Sequence, residues 1–294
     1  MEPKDAAKFQ RTLDVVHSMT YFVPETEEYL VATGLRPGRM VYFAGRAAPM
    51  GAVGGGVVTA TFYNFSPSLV ARHIPRAWTL ASPEVVLAAR LRAADAALRR
   101  LLGDQADAPE ITEGAELTRE AVQACRPEGR PLYAAHADLD WPGEPLLDLW
   151  HGTSLLREHR GDGHLAALLG AGLSGLEALV THTATGRGFT RQAALVSRGW
   201  REEEWVAAEN GLRERGVLDV DGALTEAGQA QRSDVEEVTS RMAMAPWLRL
   251  GTERSARLAE IGLGLTKRML AAGVFPDGMF APASGRATSG ARTQ

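Results

Sequence analysis

A single cysteine, Cys125, in 294 residues excludes an internal disulfide framework and any metal site built on several thiolates. Aromatic residues are scarce at 6%, while Ala, Leu, Arg and Gly fill the periodic stretches, a bias toward helix over sheet. No uninterrupted apolar run reaches membrane-spanning length, and Met1 to Asp5 has none of the features of a signal peptide. A cytoplasmic protein with no membrane partner is therefore expected. Positive charge is not in excess either: Lys and Arg number 32 against 36 Asp and Glu, a formal net charge of -4. Proteins that draw their affinity from phosphate neutralisation are commonly basic, so the balance disfavours nucleic acid.

What is present is mostly helical punctuation. Phe9, Leu13, Val16 and Met19 have helical spacing, and Pro24 permits a second start near Glu25. Ser66-Pro67 and Ser82-Pro83 each place a capping residue before a helix-opening proline, the second ahead of a long Ala/Leu/Arg helix ending near Gly103. The pattern predicts an acidic, turn-rich loop from Gly103 to Gly114, a helix from Thr118, and a connector from Pro127 to Pro145. Leu146 to His159 reads as a helix broken at Gly161-Asp162-Gly163, with Asp162 capping the next. Further helices are expected over Leu173 to Thr183, Arg191 to Val196 behind Thr190, Trp200 to Gly216, Glu226 to Met244, and Glu253 to Ala272. Residues 281–294 are small and polar, and a mobile tail is expected there.

The run from Leu212 to Gly228 is the most specific. A helix ends at Gly216, the pairs Val217-Leu218 and Ala223-Leu224 flank the turn dipeptide Asp221-Gly222, and Thr225 caps a new helix. That is the back half of a winged helix. Leu98 to Ala121 gives a weaker echo, and Ser68 to Trp78 lies collinear with Arg191 to Trp200. The fold class expected is mainly α, a tandem, pseudo-dimeric winged helix-turn-helix with short β-wings. Residues 1–143 would form one half, 144–280 the other, and 281–294 the tail.

Leu212, Gly216, Leu218, Leu224, Thr225 and Gly228 make Trp200 to Gln231 resemble the recognition helix and wing of MarR-type regulators. Tyr42 to Pro49, Trp150-His151, Leu156 to His164 and Ser197 to Trp200 make the whole chain similar to a largely uncharacterised actinobacterial helix-turn-helix family. The resemblance implies the fold and a DNA-binding ancestry. The charges depart from it: Glu202, Glu203, Glu204, Glu209 and Glu214 make the recognition helix net acidic, and Asp219 to Gly222 offers no basic residue. Acidic wings repel the duplex. Arg90, Arg92, Arg99 and Arg100 on the first long helix are the remaining DNA-facing candidates.

Four of the seven histidines fall between His151 and His182, around the polar run Arg157 to His164. His151, His159 and His164 are the candidates for proton transfer. Tyr42, Arg46, Arg157, Glu158 and Asp162 are the candidates for ligand binding, with Arg46 either holding an anionic group or pairing with a carboxylate such as Glu158. A triad of Ser154, His151 and Asp148 on one helix is disfavoured, since triads are built from separate elements. His151 and His159 would stand about 12 Å apart along a helix, too far to share an ion, and no metal site is expected. The cofactor is left open, a haem on a lone histidine included.

Two readings follow. In the first, a fused winged-helix pair binds, and in an enzymatic version transforms, a small organic molecule in a cavity between the halves. In the second, the chain is a ligand-responsive, MarR-like transcription regulator. Either is compatible with a monomer or a homodimer.

Overall fold

The computed structural model of the chain describes residues 1–276, so the expected tail at 281–294 lies outside the described residues. Its helices are α1 (Pro3–Ser18), α2 (Pro24–Val31), α3 (Arg39–Ala47), α4 (Gly55–Phe62), α5 (Pro67–Ala71), α6 (Pro83–Leu102) and α7 (Pro109–Val122). They continue as α8 (Pro131–Ala137), α9 (Pro145–Gly170), α10 (Gly175–Ala184), α11 (Arg191–Arg198), α12 (Glu202–Glu214), α13 (Glu226–Met242) and α14 (Ala245–Ala271). Proline at the first or second position opens α1, α2, α5, α6, α7, α8, α9 and α14, where its missing N–H costs no helical bond. Ser82, Thr190 and Thr225 cap α6, α11 and α13 through their side chains, as expected.

Among the described residues no strand forms. The wing after α12 is reduced to one antiparallel bridge, Leu218 to Leu224, closed around Gly222 at φ +82°. The segment expected as a first-half wing is instead a 3-10 turn, Gly103–Asp107, leading directly into α7. Pro109 supplies a helix start earlier than Thr118, which is buried in mid-helix. The expected connector contains α8.

The central correction concerns α9. The chain does not break at Gly161-Asp162-Gly163; one helix runs through from Pro145 to Gly170. Both glycines are packing residues rather than turn residues. A Cβ at Gly161 would lie 2.6 Å from Arg157 Nη1, and one at Gly163 would lie 2.7 Å from Arg130 Nη1. Gly152 serves the same purpose against α7, where a Cβ would meet the Thr118 hydroxyl at 2.3 Å. Buried residues occupy every face of the first five turns of α9, the mark of a helix enclosed by its neighbours.

Three apolar cores surround it. One joins α1, the ends of α6 and α9, α7 and α14 through Leu13, Leu98, Ile111, Leu149, Trp247 and Leu258. A second packs α2 to α6 around Leu30, Phe43, Phe65 and Val86. The third holds the end of α9 with α10 to α13 around Leu179, Trp205, Leu212 and Val235. The α11–α12 turn docks on the second core: Ser66 N–H donates to the Arg198 carbonyl at 2.9 Å, and the Trp200 indole donates to the Asn64 carbonyl at 2.9 Å.

Candidate functional site

Because α9 is enclosed, its polar residues are turned inward. Ser154 and Glu158, one helical turn apart, face α1, α3 and α6. The Glu158 carboxylate is 1% exposed and receives Arg46 at both oxygens, Nη2 to Oε2 at 3.1 Å and Nε to Oε1 at 3.4 Å. Arg157 adds a third contact, Nη1 to Oε2 at 2.9 Å. Burial opposes ionisation of Glu158, but Arg46 and Arg157 outweigh it and hold the carboxyl well below its ordinary range. Burial likewise opposes the Arg46 charge, and Glu158 more than restores it. Of the alternatives the sequence left for Arg46, pairing with Glu158 is the one the structure displays.

His17 completes the cluster from α1. Its Nδ1 lies 2.8 Å from Ser154 Oγ, and Tyr21 Oη lies 3.2 Å from its Nε2. Ser154 donates its single proton to the Trp150 carbonyl at 2.8 Å, so the arrangement that fills every bond has Nδ1–H donating to Ser154 and the tyrosine hydroxyl donating to Nε2. Burial keeps this imidazole neutral, its pKa well below the ordinary value despite nearby Glu158. The Ser154, His151, Asp148 triad does not form: Ser154 belongs to His17, and Asp148 accepts from Arg119 at 2.7 Å and the Gly143 N–H at 2.9 Å.

Beside the cluster lies a cavity of about 670 Å³, lined by Tyr21, Phe22, Arg39, Tyr42, Arg46 and Arg90 among others. All its lining residues lie between Thr20 and Arg90, and Glu158 stands behind Arg46 without lining the cavity. The Tyr42 hydroxyl accepts from Arg46 Nη1 at 3.4 Å. A guanidinium has five N–H donors; two go to Glu158 and one to Tyr42, which leaves two beyond those bonds among the described residues. Glu27 and Glu28, both exposed, also line the opening.

The other expected site residues are dispersed. Asp162 does not cap its own helix; its Oδ2 accepts from the Leu132 and Tyr133 N–H groups at 3.0 and 2.9 Å, capping α8 from a distance. Asp162→Ala is expected to lower stability by about 1–3 kcal/mol by orphaning these two donors, read as a shift in urea midpoint. His159 sits edge-on to Tyr133 at 5.2 Å, and its carbonyl accepts from Arg130. His164 pairs with Thr239 Oγ1 at 2.9 Å. None of His151, His159 and His164 lines the large cavity. Among the described residues no group of three or more His, Cys, Asp and Glu side chains could hold a metal ion.

Of the α6 arginines Arg90 is buried and the exposed ones have partners on the protein. Arg90 is 3% exposed, Arg92 lies over the Tyr29 ring, Arg99 pairs with Asp95 and Asp107, and Arg100 pairs with Glu25. On α12, Glu202 pairs with Arg191 and Glu204 with Arg201, so carboxylates and guanidiniums on this lobe largely neutralise one another.

Sequence alone names neither His17 nor Tyr21 and gives Arg90 only as a DNA-facing candidate, yet His17 and Arg90 each carry a signal. His17 follows Leu13 by four, and Arg90 lies four from both Val86 and Ala94; a polar residue on the apolar stripe of a helix is a buried polar residue.

A helix-turn-helix family matches residues 6–276, and the chain belongs to it. No curated protein and no solved structure matches. No single helix among the described residues is long and apolar enough to cross a membrane.

Proposed function

We propose that this helix-turn-helix protein binds a small organic anion in the 670 Å³ cavity, with Arg46 holding the acidic group and Tyr21, Phe22 and Tyr42 contacting an apolar, ring-bearing body. The observation that carries the reading is a buried guanidinium, paired with Glu158, that lines a cavity of ligand size and has more N–H groups than Glu158 and Tyr42 take up. Tyr42, Arg46, Arg157 and Glu158 are the binding and positioning residues; Asp162 supports them by anchoring α8 to α9. Binding, rather than transformation, is the role proposed, because no histidine among His151, His159 and His164 reaches this space. A cytoplasmic location and a MarR-like, actinobacterial ancestry belong to the same reading.

The test is titration with 2-naphthoate followed by its fluorescence. Saturable binding weakened tenfold or more by Arg46→Met supports the assignment, the loss of a hydrogen bond to a charged group being about 1.5–3 kcal/mol. Binding that is unchanged by this substitution removes Arg46 from the site.

Family membership favours a second reading, a ligand-responsive DNA-binding regulator. Against it stand the neutralised surface of α12, the aspartates at 219 and 221, and the docking of the α11–α12 turn onto Asn64 and Ser66. Random duplex DNA at low salt is therefore expected to bind weakly or not at all in a gel-shift assay. A steep fall of affinity with salt, the signature of several phosphate contacts, would restore the regulator.

A further inference from the structure

A second cavity of about 200 Å³ lies between α6, α8 and α9, lined by Arg90, His136, Trp150, His151 and Ser154, with solvent-exposed Asp140 also on its wall. Its polar groups are unusual in being open. Arg90 Nε and Nη2, the Trp150 indole N–H and His151 Nε2 are all buried without a hydrogen-bond partner among the described residues, and the three residues are 3%, 4% and 5% exposed. Buried polar groups are nearly always satisfied, and an unpaired buried charge is costly. Among the described residues no carboxylate lies within ion-pair distance of Arg90. Its side chain's polar contact among them is Nη1 to His136 Nε2 at 3.2 Å, and its guanidinium stands 5.0 Å from the centre of the Trp150 ring.

The chemistry of the open groups defines what fills the space. His136 Nδ1 lies 2.8 Å from the Leu132 carbonyl and so carries the proton, which makes Nε2 the acceptor for Arg90 and leaves His136 neutral. Arg and Trp side chains can only donate, and His151 donates when its proton sits on Nε2. Three donor side chains, one of them charged, converge on a space smaller than the 300–1,000 Å³ usual for drug-sized ligands.

We propose that this chamber is a second ligand site that takes a small anion, a short carboxylate or an inorganic oxyanion, on Arg90, Trp150 and His151. The anion supplies acceptors for the open donors and a direct ion-pair partner for Arg90, on which Glu158 acts only from beyond contact distance. A water molecule could fill the donors but would leave Arg90 without an anion in contact. Trp150 and His151 do not line the larger cavity, so the two sites are distinguishable by substitution, although Arg90 borders both.

Thermal unfolding of the full chain at fixed ionic strength tests this, with acetate and inorganic phosphate as probes and acetamide as the neutral counterpart of acetate. A saturable rise in Tm with acetate, phosphate or both is expected, since a ligand of the folded state alone stabilises it; which probe acts separates a carboxylate ligand from an inorganic one. Acetamide is expected to do nothing. Trp150→Phe should raise the half-saturating concentration roughly tenfold, and Arg90→Met should abolish the response. If Arg90→Met does not fold, Trp150→Phe, His151→Phe and the acetamide comparison still decide. Equal stabilisation by acetamide, no saturable rise with either anion, or a rise unaffected by Trp150→Phe and His151→Phe would overturn the proposal.

Discussion

Glu158→Ala is expected to cost about 3–5 kcal/mol of stability, the range for removing one partner of a buried ion pair. For a chain of this size that is a fall in Tm of roughly 5–8 °C. The cause is not the lost attraction alone. Arg46, 8% exposed, would be left beside Arg157 and near Arg90 with no carboxylate among them, and the low-dielectric surroundings that make the pair strong make the remainder costly. The companion substitution Arg46→Met, made in the Glu158→Ala background, should recover part of the loss. A double-mutant cycle would then give a coupling of about 1–3 kcal/mol between the two positions. An effect on Tm below about 2 °C for Glu158→Ala would mean that solvent reaches the cluster and that it is not the buried frame of a binding site.

Acid should unfold the protein from unusually mild pH. Burial lowers the pKa of His136 to about 3 and of His151, His159 and His164 to about 4, and lowers that of His17 well below its ordinary value. In the unfolded chain these imidazoles titrate near 6.5. Their folded values are depressed, so the stability they contribute is fully present above pH 6.5 and is lost as pH falls from there toward 4. Within that window each histidine removes about 1.4 kcal/mol per pH unit, so the five together approach about 7 kcal/mol per unit. Glu158, also depressed, adds its own loss only below the ordinary carboxylate range. Urea midpoints recorded by circular dichroism between pH 7.5 and 4.5 should drop steeply below 6.5. A flat profile from 6.5 to 5 would show that these histidines are not held neutral inside the folded chain.

How much of this was legible in the sequence depended on whether the signal was local. Capping and turn chemistry is local, and Ser82, Thr190, Thr225, Gly216 and Gly222 act where their types predict. The pairing of Arg46 with Glu158 was also available, as the plain alternative to a free anion site. What failed was the reading of Gly161 and Gly163 as a break. Glycine weakens an isolated helix, but here the neighbours decide: Arg130 and Arg157 need the space that a Cβ would fill, and tertiary packing sustains the helix. A break there would split Arg157 to His164 between two helices, whereas the run lies within one central helix. It would also make Asp162 a local cap, whereas it caps α8 from a distance. The first wing does not form for a related reason: the acidic, Gly-containing segment after α6 reads as a turn-rich loop, but Pro109 opens a helix within it. Arg90 was misplaced because arginine on a helix is ordinarily solvated, and its register on the apolar stripe with Val86 and Ala94 was passed over.

The central claim is that Arg46 meets an acidic group in the large cavity. It is tested most directly by comparing 2-naphthoate with its uncharged amide, 2-naphthamide, by calorimetric titration of the wild type and of Arg46→Lys, which keeps the charge but not the planar fork. The account predicts that the wild type binds the carboxylate at least tenfold more tightly than the amide, and that Arg46→Lys loses most of that preference. Equal affinity for the two ligands, or a preference that Arg46→Lys leaves intact, would contradict it.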